Sequence, residues 1–343
     1  MKVEKHPQRS KNPAITLLGV QPLGTLAFFL WVSSFPTQAV PSKEATTPRT
    51  FTDWCLNKAK ESGEIQHTID VLLREAETQE CHQADKILST RTYLNLESNQ
   101  IANIKPLSSL TNLTHLYLHD NQITDIKPLS SLTNLIILNL SNNQIADIKP
   151  LSSLTNLTLL SLGINQIADI KPLSSLTNLT DLDLMYNQIA DIKPLSSLTN
   201  LTFLNLDSNQ ITDIRPLSSL TNLGLLFLGY NQIANIKPLS SLTNLTSLYL
   251  EFNQIADIKP LSSLSELNSL SLGNNQITDI KILSSLTNLF YLNLDSNQIA
   301  DIKPLSFLTN LTSLYLGNNQ TLTDQTCPVK PESICSFVPP EDE

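Results

Sequence analysis

Two groups of side chains in this chain have residue types and a spacing that could support chemistry. Asp181 and Asp183 alternate along a predicted strand, so both carboxylates would lie on one face, as in paired acid–base catalysts. His115, His119 and Asp120 could present two imidazoles and a carboxylate to a metal ion. The predicted sheet is open and has no opposing wall to exclude water, and no nucleotide-binding fingerprint occurs. We therefore expect no enzyme activity, no metal site and no cofactor.

A larger set of aromatic and acidic residues occupies four positions of the repeat defined below. All seven tyrosines of the chain fall at these positions, with three phenylalanines and seven acids, and no lysine or arginine occurs there. Aromatic rings are favoured at protein interfaces, and acids without a neighbouring base raise a negative potential. β-Propensity alone would place aromatic residues on strands, but it does not account for the acids. The residues that we assign to a binding surface are Tyr117, Asp181, Asp183, Tyr186, Phe203, Asp207, Phe227, Tyr230, Tyr249, Glu251, Phe252 and Tyr291.

The secondary-structure elements that would position these residues come from a unit of 22 residues. This unit is repeated eleven times between residues 91 and 320 without a change of register. One asparagine marks the period. It occurs at Asn99, Asn121, Asn143, Asn165, Asn187, Asn209, Asn231, Asn253, Asn275, Asn297 and Asn319. A fixed period of this length predicts a solenoid, in which each unit buries its apolar face against its neighbours.

The second copy of the unit shows which local structure to expect. Leu116 and Leu118 alternate with outward residues, which predicts a short strand with one buried face. Pro128 has no backbone donor and suits the first turn of a short helical or 3₁₀ segment. Strands that return at every repeat must stack in parallel, so we expect eleven strands on the inner side of a curved stack. The marker asparagine, here Asn121, would hydrogen-bond the backbone of the turn and form a ladder through the repeats.

The pattern Leu-x-x-Leu-x-Leu-x-x-Asn-x-Ile, followed by x-Asp-Ile-x-Pro-Leu-x-x-Leu, resembles the leucine-rich repeat. The repeat length and the Asp-Ile-Lys-Pro-Leu line are similar to those of the internalin-like class of bacterial surface and secreted proteins. The resemblance implies an α/β solenoid, a leucine-rich-repeat horseshoe with a parallel β-sheet on the concave face and short 3₁₀ or helical segments on the convex face. It also implies that the concave face binds a protein.

The segments on either side of the repeats have different compositions. Residues 1–39 combine a basic start, an apolar centre and small residues before Ala39, which predicts a signal peptide, and an uncleaved membrane anchor is the alternative. Residues 40–50 form a polar linker, and 51–90 predict a helical N-terminal cap with its main helix over 64–77. Residues 321–343 predict a C-terminal cap and an acidic tail. We expect a secreted or periplasmic protein with no membrane span after signal cleavage.

The four cysteines of the chain lie outside the repeats, two on each side. An even number of cysteines in an exported chain favours disulfides. The two caps would lie at opposite ends of the solenoid, so we predict the local pairs Cys55–Cys81 and Cys327–Cys335. Free thiols in a cytosolic protein are the alternative.

Six Asn-Leu-Thr triplets match the pattern of a glycosylation acceptor. Because each asparagine is also a residue of the repeat, we expect all six to be partly buried and unmodified. They are Asn112, Asn156, Asn178, Asn200, Asn244 and Asn310.

The composition of the chain limits the class of partner that it can bind. The chain has a net charge of −9 and a pI near 5.1, which argues against nucleic acid. The leading hypothesis is a non-enzymatic, exported protein whose concave face binds a protein partner with a basic or polar surface. A glycan that stacks on the same aromatic rings, and a cytosolic regulatory scaffold, are the alternatives.

Overall fold

The computed structural model describes residues 49–338. The predicted signal peptide, nearly all of the linker and the acidic end of the tail lie outside the described residues. Within the described part of the chain, no helix is long and apolar enough to span a membrane.

The repeats form the horseshoe that was predicted, with one parallel sheet in which every strand pairs with the next strand along the chain. Each strand has only three residues, except the last, which has two. The strands are Tyr93–Asn95 (β1), His115–Tyr117 (β2), Ile137–Asn139 (β3), Leu159–Ser161 (β4), Asp181–Asp183 (β5), Phe203–Asn205 (β6), Leu225–Phe227 (β7), Ser247–Tyr249 (β8), Ser269–Ser271 (β9), Tyr291–Asn293 (β10), Ser313–Tyr315 (β11) and Cys335–Ser336 (β12).

The return segments on the convex side are 3₁₀ helices of five residues. Proline occupies their first turn in all but one, where its fixed φ fits and its missing N–H is no loss. They are Lys105–Ser109, Lys127–Ser131, Lys149–Ser153, Lys171–Ser175, Lys193–Ser197, Arg215–Ser219, Lys237–Ser241, Lys259–Ser263, Lys281–Ser285 and Lys303–Phe307. Two further 3₁₀ turns, Lys58–Lys60 and Glu332–Ile334, lie outside the repeats.

The core is a stack of leucine and isoleucine side chains between the sheet and these segments. In the second repeat, Leu116, Leu118, Ile123, Leu129 and Leu132 are all completely buried, and the same positions are buried in the repeats on either side. No repeat encloses its own core, because each one covers the apolar face of the repeat before it.

The predicted asparagine ladder is present. The Nδ2 of Asn143 donates to the carbonyl oxygens of Leu118 and Leu140 at 3.0 Å each. Its Oδ1 accepts from the backbone N–H of Ile123, in the preceding repeat, at 2.9 Å. Each such amide therefore satisfies buried backbone groups of two successive repeats.

Three helices cover the N-terminal end of the solenoid: Phe51–Leu56 (α1), Gly63–Glu75 (α2) and Cys81–Leu88 (α3). Helix α2 contacts the first repeat directly, where Arg74 Nη2 donates to Asn99 Oδ1 at 2.7 Å and Thr68 Oγ1 donates to the Asn103 carbonyl at 2.8 Å. Asn99 has no earlier repeat to bond, and the cap supplies its partner instead.

Both predicted disulfides, Cys55–Cys81 and Cys327–Cys335, are formed. The eleven predicted repeat strands are all present, and the C-terminal segment adds an unpredicted twelfth, β12, which pairs in parallel with β11. The backbone N–H of Leu316 donates to the Ser336 carbonyl at 2.8 Å. The segment lacks the leucine pattern of the repeats, and its disulfide holds it against the sheet edge that β11 would otherwise expose.

Candidate protein-binding face

The variable positions of the repeats lie on the concave side of the sheet and in the turn that follows each strand. In β5, Asp181 and Asp183 lie on either side of the completely buried Leu182 and are themselves partly exposed. The strand register continues the row of Asp183 through Asn205 of β6, Phe227 of β7 and Tyr249 of β8. Side chains of successive repeats therefore lie side by side across the concave surface.

A strand aromatic row consists of Phe203, Phe227 and Tyr249. The rings of Phe227 and Tyr249 stack with centroids 4.6 Å apart and planes within 3° of parallel. Phe203 contacts Phe227 from the preceding strand, with centroids 5.8 Å apart. The three rings are half-buried against one another and leave a continuous apolar strip on the concave surface.

A turn aromatic row consists of Tyr186, Tyr230 and Phe252, which directly precede the marker asparagines. Their side chains are 58%, 50% and 40% exposed, and Tyr230 stacks on Phe252 with centroids 4.2 Å apart. All three have left-handed backbones, with φ of 50°, 51° and 53°. This conformation costs a large L-residue about 1–2 kcal/mol, whereas asparagine adopts it more readily. Asparagine does occupy the equivalent position in three other repeats, at Asn142, Asn274 and Asn318.

The other two predicted aromatic residues lie apart from these rows. Tyr117 contacts Tyr93 near the N-terminal end, with ring centroids 5.5 Å apart. Tyr291 contacts Tyr315 near the C-terminal end, with ring centroids 5.7 Å apart. The structure thus separates the predicted set into a central group and one smaller group toward each end.

The predicted acids are concentrated in the central group, and three of them are partly buried. Burial and the nearby Glu251 carboxylate raise the pKa of Asp207 to about 7, against a lowering by the hydrogen bond from Gly229. Burial also raises the pKa of Glu251 and of Asp183 above the ordinary values. No cationic side chain occurs at any variable position, so the charge of these three carboxyls is not neutralised by a residue of these positions.

Two of the acids also have local structural roles. Asp183 Oδ1 accepts from the backbone N–H of Met185 at 3.1 Å, and asparagines at the equivalent position of other strands make the same turn, as Asn205 does to Asp207. The Asp181 carboxylate accepts a hydrogen bond from Thr180 Oγ1 at 2.6 Å. Their geometry is that of turn and surface residues.

The histidine group is engaged within the protein. His115 Nδ1 and Thr114 Oγ1 are 2.8 Å apart, and His119 Nε2 lies 3.1 Å from a carboxylate oxygen of Glu97. Among the described residues, no cluster of histidine, cysteine and acidic side chains has the geometry to hold a metal ion.

The convex side is uniform because its polar residues hold the repeats together. Asp125 Oδ1 accepts from the backbone N–H of Lys127 at 2.8 Å, and most of the following repeats make the same bond. Ser131 Oγ donates to the Ser108 carbonyl of the preceding repeat at 2.8 Å. These residues recur because they hold the stack together, whereas the concave and turn positions vary more from repeat to repeat.

The expectation that the glycosylation-motif asparagines are partly buried was wrong, because all six are exposed. Their amide groups are nevertheless engaged, as in Asn156, whose Nδ2 donates to the Thr133 carbonyl of the preceding repeat at 2.9 Å. They lie at the edge of the stack, where one side of the residue faces solvent while the amide links two repeats.

Glycines contribute to the face in a way that the sequence analysis missed. A Cβ added at Gly229 would lie 3.3 Å from Asp207 Oδ1 and 3.2 Å from Glu251 Cδ. The backbone N–H of Gly229 donates to Asp207 Oδ1 at 2.6 Å. The glycine therefore allows two acids to lie against the sheet on either side of it. The alternation of acid and glycine at this repeat position was the available signal.

Comparison with known proteins is consistent with this architecture. A family model for leucine-rich repeats, described as two copies, matches nine segments between residues 92 and 326, and all but the first overlap a neighbour. The crystal structure of an internalin, InlF, from Listeria monocytogenes is 36% identical, with a TM-score of 0.65, over 80% of this chain and 86% of that one. Internalin C2 from the same organism is 34% identical, with a TM-score of 0.50, over 65% of this chain and 90% of that one. No curated protein sequence matches the chain.

The matched segments span most of the described residues and repeat with the period of the solenoid, so the chain is a leucine-rich-repeat protein. Its sequence identity to InlF, which extends over most of both chains, shows which group of leucine-rich-repeat proteins it resembles. It belongs to the internalin-like family of leucine-rich-repeat proteins.

Proposed function

We propose that this chain is an exported, non-enzymatic interaction module that binds a protein through the central part of its concave face. The observation that carries the proposal is the turn aromatic row. Tyr186, Tyr230 and Phe252 hold large, exposed rings in a backbone conformation that asparagine adopts at lower cost. Strained positions of this kind cluster at sites with a function, because the loss of stability is tolerated for what the side chain does.

The surroundings of the row support a protein partner. The strand aromatic row adds an apolar strip beside it, and aromatic residues dominate the energetically important parts of protein interfaces. The half-buried acids Asp183, Asp207 and Glu251 give the surface a negative potential, so the partner is expected to present basic or polar groups.

Export is part of the proposal and has separate support. The basic start and apolar centre of residues 1–39 predict a signal peptide, and both cysteine pairs are disulfide-bonded, as is typical of an oxidising compartment. The native protein should therefore begin at Val40.

A photo-crosslinking experiment tests the binding face. A benzophenone amino acid is placed at Tyr186 in one variant and at Phe307 in another. Phe307 is 65% exposed and lies on a convex 3₁₀ segment, so it is a control of similar type and exposure. We expect one defined protein adduct from position 186, identified by mass spectrometry, and none from position 307. Equal labelling from both positions, or none from position 186, would overturn the proposal.

The substitution Tyr186→Asn separates binding from folding. Asparagine suits the left-handed backbone, so the variant should unfold at an equal or higher temperature while its affinity for the crosslinked partner falls at least tenfold, about 1.4 kcal/mol. Phe307→Ser, which restores the residue that other repeats have at this position, should leave the affinity unchanged. A Tyr186→Asn protein that binds as tightly as the wild type contradicts the assignment.

A further inference from the structure

The position after the last buried leucine of each strand alternates between acid and glycine over the C-terminal half of the face. From the sixth repeat to the eleventh it reads Asp207, Gly229, Glu251, Gly273, Asp295 and Gly317. The carboxylate row, defined as Asp207, Glu251 and Asp295, therefore has one acid in every second repeat. Parallel strands lie about 4.8 Å apart, so successive acids of the row are separated by about 9.6 Å.

The glycines contact neighbouring side chains and help to fix this spacing. The backbone N–H of Gly229 donates to Asp207 Oδ1, and that of Gly317 donates to Asp295 Oδ1. A Cβ at Gly273 would lie only 3.2 Å from the Asn293 side chain. A side chain larger than glycine at Gly229 or Gly273 would displace its neighbours. Asp207 and Asp295 each accept from the glycine of the next repeat, whereas Glu251 lies beside Gly229 of the preceding repeat.

One oxygen of Glu251 and one of Asp295 have no hydrogen-bond donor. Asp295 is only 3% exposed, and its Oδ2 has no hydrogen-bond partner. The Oε2 of Glu251 is likewise buried without a partner. Buried carboxylate oxygens are normally satisfied, and no lysine or arginine occurs at the variable positions to satisfy these. Two carboxylate oxygens of the row therefore have no donor among the described residues.

We propose that the carboxylate row binds a basic peptide segment of the partner in the polyproline II conformation, with lysine or arginine at every third residue. This inference rests on the proposed function and specifies its partner. Polyproline II has three residues per turn and a rise of about 3.1 Å per residue, so equivalent side chains recur every 9.3 Å or so on one face. A β-strand spans a similar length in three residues, but its first and fourth side chains point to opposite faces.

The strand aromatic row also favours a partner peptide in the polyproline II conformation. Phe203, Phe227 and Tyr249 lie on the same face as Asp207 and Glu251 as half-buried rings, of which Phe227 and Tyr249 are stacked and Phe203 is tilted against Phe227. Grooves lined with aromatic rings bind polyproline II segments, which are already extended and lose little entropy on binding. Acids at every second repeat beside an aromatic strip therefore match the charges and the apolar ridge of one such segment.

A synthetic peptide of five Pro-Pro-Arg triplets is the probe. The first control has the same composition with its arginines irregularly spaced, and the second replaces each proline by glycine. We expect the regular peptide to bind at least about tenfold more tightly than either control, measured by calorimetry at about 0.15 M salt. Equal affinity for the irregular peptide refutes the spacing argument, and equal affinity for the glycine peptide refutes the polyproline II conformation.

Matched variants test the site. Asp207→Asn with Glu251→Gln should weaken the regular peptide at least about tenfold. Asp191→Asn with Asp257→Asn changes the net charge equally on the convex side, and each asparagine can still accept the backbone bond that the aspartate accepts. This control should change the affinity less than about twofold. Equal losses in both double variants would show non-specific attraction and overturn the inference.

Failure of this inference is distinguishable from failure of the proposed function. The crosslinking experiment uses the native partner and does not depend on peptide spacing. A specific adduct at position 186 combined with no preference for the regular peptide would leave the interaction module intact and overturn only the polyproline II partner.

Discussion

The asparagine ladder allows the effect of one side chain on stability to be worked out from its contacts. Asn209 lies in the middle of the solenoid and is 8% exposed. Its Nδ2 donates to the carbonyl oxygens of Leu184, Leu206 and Asp207 at 3.0–3.1 Å. Its Oδ1 accepts from the backbone N–H of Ile189 at 3.0 Å. Asn209→Ala removes all four bonds and leaves the Ile189 N–H unpaired, whereas each of the three carbonyls keeps another donor.

The expected loss follows from the buried Ile189 N–H, whose acceptor is Asn209 Oδ1. The Leu184 carbonyl keeps a second donor, Asn187 Nδ2, at 3.1 Å. A buried polar group left without a partner costs about 1–3 kcal/mol, so Asn209→Ala should lower the free energy of unfolding by about 1–3 kcal/mol. Asn209→Asp should be at least as damaging at neutral pH, because a carboxylate can accept from Ile189 but cannot donate to the carbonyl oxygens.

Urea unfolding followed by circular dichroism measures the difference. The control is Asn222→Ala, because Asn222 is exposed and makes a single inter-repeat bond of 2.9 Å to the Thr199 carbonyl. That variant should lose less than about 1 kcal/mol. If the two alanine variants unfold at the same urea concentration, the marker asparagine does not stabilise the stack by satisfying buried backbone groups, and the explanation of its recurrence is wrong.

Three further predictions concern the ends and the acids. Replacing Cys327 and Cys335 by serine should release β12, so the Leu316 amide should exchange with solvent faster while the central repeats keep their protection, as hydrogen-exchange mass spectrometry would report. The pKa of Asp207 is raised to about 7 in the folded protein, so folding favours the protonated carboxyl. The stability that the protonated carboxyl contributes is lost as pH rises from about 4 to 7. Asp207→Asn should therefore unfold at a higher temperature than the wild type at pH 8 but not at pH 4, and a constant difference would contradict the raised pKa. The intact mass of protein purified from its native host should correspond to a chain that begins at Val40, and a retained Met1 would contradict cleavage.

The fold could be predicted from the sequence because each feature of the repeat has a local physical cause. Leucines at alternate positions specify the strand, and a proline after the turn specifies the 3₁₀ segment. Each of these signals occurs in nearly every repeat, so a single error would not change the result. The disulfide pairing followed from the same geometry, because a long solenoid keeps its two ends apart and leaves only local partners.

Two features at the edges of the stack were not predicted correctly. Strand β12 carries no leucine pattern, and its pairing depends on a disulfide and on the exposed edge of β11. The exposure of Asn156 and its equivalents was misjudged because one side chain can hydrogen-bond a neighbouring repeat and still face solvent. Both features arise from the three-dimensional position of an edge, which the period does not contain.

The binding face was predictable as a set of positions but not as a surface. Sequence comparison of the copies identified Tyr186 and Tyr249 together as variable aromatic residues, yet the structure places them in different rows, one strained in a turn and one stacked on a strand. The distinction matters for function. A half-buried ring such as Tyr249 contributes to packing whether or not a partner binds. An exposed ring in a left-handed turn, such as Tyr186, loses stability in the free protein, so its presence at position 186 is best explained by a contact that the free protein does not make.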